Sequence, residues 1–279
     1  MSEGPLAIIA GSGALPWEAA EIIAPRRKVV VFALAEEAAI PEALPHNVTV
    51  ERRSYGEIGK ARKTALTLGA TDLLFLGAIR ARPDFRKIAG DWETVKLVPR
   101  ILRALVGGDD TIVRNVLALF EAEGFRIVSV SDAAPELLAP IGTLGRHSPA
   151  QHHEADIDLG LSFLDAVSPF DMGQAVVVVD GRVIAMEGAE GTDAMLARCK
   201  DMRGSRRVRA PNGRGVLVKR AKRGQDMRAD VPVVGADTLT HAVRAGLGGV
   251  VVGAGETILA GRAAMIATAD KAGVFVVGR

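Results

Sequence analysis

Apolar positions in this chain fall into short runs that alternate with stretches of helical spacing. Leu6–Ala10, Lys28–Leu34 and Asp72–Leu76 are nearly continuous apolar runs stopped by glycine or polar residues, the pattern of strands buried on both faces. Val48–Arg52 and Phe125–Val130 are predicted as further strands. Between them the spacing predicts helices over Leu15–Ile23, Gly56–Leu68, Thr94–Val106 and Asp109–Glu123, with Pro16 placed where a first helical turn accepts it. Strands alternating with helices in this way predict a mostly parallel, Rossmann-like sheet covered by helices.

From Pro135 to His153 the pattern lapses into Pro, Gly, Ser and His, which reads as a domain boundary. The expected organisation is an N-terminal domain over 1–135, a linker over 136–153 and a C-terminal domain over 154–279. The second half opens with a predicted helix over Glu154–Ala166. Gln174–Val179 and Arg182–Met186 then form an expected hairpin turning at Asp180-Gly181. Helices over Glu190–Met202, Asp237–Ala245 and Gly261–Ala272 alternate with strands at Gly215–Lys219, Val250–Val252 and Val274–Val277. The fold class is therefore α/β: two α/β domains, the first Rossmann-like, the second with a mixed sheet.

Composition narrows the function classes. Hydrophobic residues make up 48% of the 279 and charged residues 24%, which excludes wholesale disorder. Aromatics are only 4%, which argues against base-stacking nucleic-acid modules. A net charge of +2 says little about partners. The single cysteine, Cys199, excludes an intrachain disulfide and makes a reducing compartment the default, although its basic neighbours leave reactivity open. No apolar run approaches the ~18 residues of a membrane span and no signal-peptide pattern is visible, so a soluble cytoplasmic protein is expected.

Three segments carry candidate chemistry. Gly11-Ser12-Gly13 leaves a strand and enters a helix, where exposed N–H groups and the helix dipole suit a phosphate. Pro16 stands where a dinucleotide fingerprint wants its third glycine, and Glu36 could mimic a ribose-binding acid. A nicotinamide- or sugar-nucleotide-dependent oxidoreductase is therefore the alternative reading. In Glu187-Gly-Ala-Glu190-Gly191-Thr192-Asp193, three carboxylates and a hydroxyl within seven residues exceed what a helix cap requires, and they offer hard oxygen ligands for Mg²⁺. The stretch Arg198–Arg228 is dense in Lys and Arg, with Asp201 and Asp226 its only acids. Arg203–Arg214 reads as a solvated face, and without interleaved aromatics a nucleic-acid patch is disfavoured. Asp226, set among cations, should be ionised at neutral pH and able to hold Mg²⁺ or orient a water. His147, His152 and His153 fall in the expected linker and lack a visible zinc partner; His46 and His241 read as structural.

Taken together the motifs resemble the LpxI family, the UDP-2,3-diacylglucosamine pyrophosphatases of bacterial lipid A synthesis. The resemblance is carried by Ile8-Ile-Ala-Gly-Ser-Gly-Ala-Leu-Pro16, Gly107-Gly-Asp-Asp110 and Asp171-Met-Gly-Gln174. It extends through Met186-Glu-Gly-Ala-Glu-Gly-Thr-Asp-Ala-Met-Leu196, Gly215-Val-Leu-Val-Lys219 and Gly224-Gln-Asp-Met-Arg-Ala-Asp-Val-Pro232, in order along the chain. Ser12 and Arg223 depart from the family pattern without removing a carboxylate. The resemblance implies Mg²⁺-dependent hydrolysis of UDP-2,3-diacylglucosamine to UMP and 2,3-diacylglucosamine 1-phosphate (lipid X), a ligand site between two domains, and a homodimer. It also implies attack on the phosphorus nearer the sugar. A lipid substrate would bring the protein to the cytoplasmic face of the inner membrane as a peripheral protein.

On this reading Asp226 is the central metal ligand or water-orienting group, assisted by Glu187, Glu190 and Asp193. Lys219, Lys222 and Arg228 neutralise the diphosphate. Gly11, Ser12, Gly13 and Gly77 present backbone to the ligand, and Asp171, Gln174, Thr192 and Gln225 contribute to substrate binding.

Overall fold

Leu6–Ala10 and Val29–Leu34 carry no polar side chain to place in water, so both strands can be stable only with both faces covered. In the structure, a computed structural model that describes residues 4–34, 38–78, 94, 99–100, 109–170 and 172–279, they lie at the centre of a five-stranded sheet. The strands are β1 (Leu6–Ala10), β2 (Val29–Leu34), β3 (Val48–Arg53), β4 (Asp72–Leu76) and β5 (Arg126–Ile127). All neighbours run parallel in the order β3-β2-β1-β4-β5, with Leu6 paired to Val29 on one side and Asp72 on the other. This order places a topological switch point between β1 and β4. Helices α1 (Leu15–Ile23), α2 (Ile58–Thr67) and α3 (Asp109–Ala122) belong to this unit. Glu36, Asp171 and most of the expected helix Thr94–Val106 lie outside the described residues, as do the first two residues of Gly107–Asp110.

The chain divides into two units. One comprises the chain up to Glu136 together with Asp226–Asp230; the other comprises Leu137–Gln225 and Val231–Arg279. A five-residue strap inside the second half of the sequence thus belongs to the first unit. The second unit holds a mixed sheet ordered β6-β13-β11-β9-β7-β8. Its strands are β6 (Gly142–Leu144), β7 (Ala175–Val179), β8 (Arg182–Met186), β9 (Val216–Lys219), β11 (Gly249–Val252) and β13 (Phe275–Gly278). A parallel pair, β10 (Val233–Val234) and β12 (Ile258–Leu259), stands apart from that sheet. One face packs Met195, Leu217, Leu239 and Val250 against helices, and the other packs Ile157, Val176, Val218 and Phe275.

Two expectations change. The strand expected over Phe125–Val130 is paired only at Arg126–Ile127, and a short helix, α4 (Val130–Ala133), follows at once. Ser129 and Asp132 cap that helix reciprocally, each side chain accepting from the other's backbone N–H, so local capping ends the strand early. The segment 136–153, read as a linker, supplies β6, which pairs antiparallel with β13 at the sheet edge. The helix after it, α5, spans Gln151–Val167.

The hairpin turn forms where expected. Asp180 and Gly181 both have positive φ, as a two-residue turn matching strand twist requires. Its two N–H groups donate to Asp156 on α5, at 3.0 and 2.6 Å, and that carboxylate is only 2% exposed. Among the described residues no helix is long and apolar enough to cross a membrane.

Two measurements check this account. Asp156→Ala should lower the unfolding free energy by about 2 kcal/mol, the order expected when hydrogen bonds to a charged group are lost; an unchanged urea midpoint would show that the turn holds itself. Cys199 is buried in the core, and desolvation pushes its thiol up to about 11. A thiol reagent at pH 8 should leave the native protein unlabelled and label it fully in denaturant.

Candidate functional site

The carboxyl ends of β8 and β9 share one edge of the second sheet, because each runs antiparallel to β7 between them. In open α/β sheets this is the edge at which ligands bind. Glu187 follows β8, Lys219 ends β9 and Gln174 precedes β7, so the topology brings three of the expected residues together. Glu187 accepts from the Gln174 backbone N–H at 2.8 Å through one oxygen and from the Thr192 hydroxyl at 2.6 Å through the other. The Thr192 hydroxyl in turn accepts from the Lys219 ammonium at 2.9 Å. Thr192 is the first residue of α6 (Thr192–Gly204) and is buried. Gly173 makes this approach feasible: a Cβ there would stand 2.4 Å from the Glu187 carbonyl oxygen.

Glu190 and Asp193 do not join this cluster. Helix α6 starts at Thr192, after Gly191 in a positive-φ conformation, so the acidic run splits across a turn and a helix. Glu190 pairs with Arg198 at 2.5 Å, and its carboxyl is held below the ordinary value by its own backbone N–H and by that guanidinium. Asp193 is 57% exposed and lies 3.6 Å from His241. Among the described residues no three His, Cys, Asp or Glu side chains form a group able to hold a metal ion. Within the second unit, then, Glu187, Glu190 and Asp193 turn to separate partners.

Asp226 lies in the strap of the first unit. Its carboxylate is 16% exposed and accepts from Arg228 three times: from the backbone N–H at 3.2 Å, from Nε at 2.9 Å and from Nη2 at 2.7 Å. The Arg228 side-chain hydrogen bond is the largest cause holding the Asp226 carboxyl below its ordinary 3.8, so it is ionised at neutral pH as expected. The remaining guanidinium arm of Arg228 reaches Glu121 on α3 at 2.5 Å. Arg228 therefore differs from its expected role on a diphosphate: its donors hold two carboxylates, and it acts as the clasp of the strap. Ala229 packs against the core cluster that contains Phe32, Leu73 and Leu117. Nothing local in the sequence marked Glu121, which reads as one more polar residue on a helix surface.

The basic segment between the two is partly neutralised. Gln225 accepts from the Lys222 N–H at 2.8 Å through its side-chain oxygen, closing its own turn. Arg223 pairs with Asp165 at 2.9 Å, and Arg220 lies near Asp165 and Glu256 at 3.4 and 3.6 Å.

At the switch point of the first sheet, Gly11 and Gly77 serve each other. A Cβ on Gly11 would come within 2.9 Å of the Gly77 backbone, and one on Gly77 within 2.7 Å of the Ser12 carbonyl oxygen. Ser12 bridges to Ala78, its N–H and hydroxyl both donating to the Ala78 carbonyl at 2.8 and 2.9 Å. These glycines let two strand ends close on one another, which accounts for them without a ligand. Gly13, with φ +97° and open space where a Cβ would be, remains the exposed part of the turn.

The chain matches the LpxI N-terminal domain over residues 5–137 and the LpxI C-terminal domain over residues 140–277. It is 38% identical to the UDP-2,3-diacylglucosamine pyrophosphatase LpxI of Caulobacter vibrioides over 273 residues, 98% of this chain and 96% of that protein. With both domain models matched in order and the identity sustained over nearly the whole length, this chain belongs to the LpxI family.

Proposed function

We propose that this protein hydrolyses the diphosphate bond of UDP-2,3-diacylglucosamine to UMP and 2,3-diacylglucosamine 1-phosphate in lipid A biosynthesis. The reading rests on the relative's substrate and on one structural observation, the Lys219–Thr192–Glu187 chain at the carboxyl edge of the second sheet. In this reaction water adds to the phosphorus nearer the sugar and the bond to the bridging oxygen breaks. The water oxygen remains in lipid X, and the bridging oxygen leaves with UMP carrying the developing negative charge. A cation fixed before the reaction lowers that barrier without reorganising during it. Lys219 fits the task because Thr192 orients its ammonium, and Glu187 in turn fixes the Thr192 hydroxyl by taking its proton in a hydrogen bond. Gln174 acts through the same carboxylate, as a positioning residue.

Asp226 is the group proposed to orient the water or to hold Mg²⁺. That cation takes one or two carboxylates and completes its shell with waters and substrate phosphate oxygens. Among the described residues Asp226 Oδ2 accepts a single hydrogen bond and keeps acceptor capacity for such a partner, whereas Glu190 and Asp193 face Arg198 and His241. Bound there, Mg²⁺ would neutralise diphosphate charge. The two acyl chains act mainly on binding, since each buried CH₂ is worth about 0.8 kcal/mol.

The deciding experiment is incubation with the diacylated UDP-sugar in ¹⁸O water, followed by mass analysis. Label in lipid X is expected; label in UMP alone would overturn the attack site, and no cleavage would overturn the activity. Chelation should abolish turnover and Mg²⁺ should restore it, while full activity in chelator would remove the metal. Lys219→Ala and Asp226→Asn are each expected to lower kcat by about 10²-fold with substrate still bound, the scale of losing a transition-state electrostatic group. Thr192→Val, which keeps the shape and removes the hydroxyl, should lower kcat about tenfold with KM little changed. Wild-type kcat in that variant would detach the chain from the chemistry.

A further inference from the structure

The basic segment that the proposed chemistry does not use ends in a pocket. A cavity of about 580 Å³ in the second unit is lined by Lys200, Asp201, Arg203, Asn212 and Arg244, with backbone at Gly246. It lies at the C-terminal end of α6, while Thr192 begins that helix, about 18 Å away along its axis. Arg203 is fixed there by carbonyl oxygens: Nη1 donates to Ala210 and Pro211 at 2.8 and 3.1 Å, and Nη2 donates to Arg214 at 2.6 Å. Among the described residues no carboxylate hydrogen-bonds this guanidinium, and its Nε is buried with no partner. The exposed Lys200 and Arg244 make no side-chain hydrogen bond or ion pair among the described residues. Arg206, Arg207 and Arg209, also exposed, follow on the loop that Arg203 pins. Arg206 has φ +57°, a helix-ending conformation ordinarily given to glycine or asparagine, so a cation stands there against backbone preference.

Cations near a helix C-terminus are favoured by its dipole, which accounts for Lys200, Arg203 and Arg244 singly. It does not account for their convergence on a cavity or for the further arginines. Three lining cations against one carboxylate leave two positive charges, which suits a phosphate-bearing anion at neutral pH. Guanidinium and ammonium donors are also the groups that hold phosphate oxygens. The absence of aromatic residues from the lining argues against stacked bases.

We propose that this pocket is a second, noncatalytic binding site for a phosphate-bearing anion, with Lys200 and Arg244 as its adjustable contacts and Arg203 as its fixed charge. It goes beyond the proposed hydrolysis and does not depend on it. The phosphate can belong to a soluble metabolite or to a lipid headgroup, and the test separates the two.

The full-length Lys219→Ala variant, which lacks the cation proposed to face the diphosphate, is titrated calorimetrically with inorganic pyrophosphate at low and high salt. Saturable binding that weakens with salt is expected, falling about tenfold for each of Lys200→Ala and Arg244→Ala added to that background. In the otherwise wild-type protein these two substitutions should leave turnover of the diacylated substrate unchanged, so the pocket and the catalytic reading fail separately. Vesicles of phosphatidylglycerol are compared with vesicles of phosphatidylcholine. Retention on the former alone, lost in the same variants, assigns the lipid headgroup; pyrophosphate binding without retention assigns the soluble anion. Binding of neither probe, or affinities in both variants within twofold of the parent, overturns the proposal.

Discussion

A hydroxyl has one proton to give and lone pairs to accept with, and at Thr192 both capacities are used by opposite charges. The proton goes to Glu187 and the acceptance comes from Lys219. A carboxylate and an ammonium are thereby held in relation to each other through a residue locked at the first position of a helix. The rest of the proposed chemistry depends on this arrangement. A cation paired directly with Glu187 would have its field cancelled where it is needed; here the neutral Thr192 hydroxyl stands between Lys219 and that carboxylate. Buried polar groups of this kind are costly unless every member has a partner, and here Gln174 supplies the remaining hydrogen bond to the carboxylate.

Asp226 is held by a different device. Its strap belongs to the first unit and packs Ala229 against the core of that unit. Arg228 grips Asp226 with two guanidinium nitrogens and Glu121 with the third. That bidentate grip keeps the carboxylate ionised by lowering its proton affinity. A carboxyl depressed in this way contributes stability above its ordinary value near 3.8, and that contribution is lost as pH falls through the depressed value. In the neutral range Asp226 is therefore charged throughout. An acid–base step that needed its proton at neutral pH is inconsistent with these surroundings, while water orientation or metal ligation is consistent with them.

The two clusters of opposite charge in the second half of the sequence turn out to be heterogeneous. The acidic run separates because a helix start turns successive residues by about 100°. Glu187 faces the sheet edge, Glu190 an arginine of the following helix, and Asp193 a histidine of another. The basic run separates into a member at the sheet edge, Lys219, members paired with Asp165 and Glu256, and the group around the pocket at the end of α6. Proximity along the chain reports which residue types are available, whereas a binding site needs side chains that point to one place.

Sequence alone determined the fold class, most strands, the hairpin at Asp180-Gly181 and the family. Apolar continuity forces burial on both faces, two positive-φ positions require a turn of that type, and long motif blocks in order are specific. It also marked Glu187, Thr192, Lys219 and Asp226 as residue types suited to diphosphate chemistry. Tertiary structure alone decided their partners. The Glu121–Arg228 clasp joins residues far apart in the sequence, and the carboxyl-edge cluster arises from strands ordered by pairing, not by succession. Gly11 and Gly77, which looked like ligand-facing glycines, are explained by two strand ends meeting. Local pattern fixes backbone periodicity, but side-chain partnership is set by register and helix phase, which only the packed chain defines.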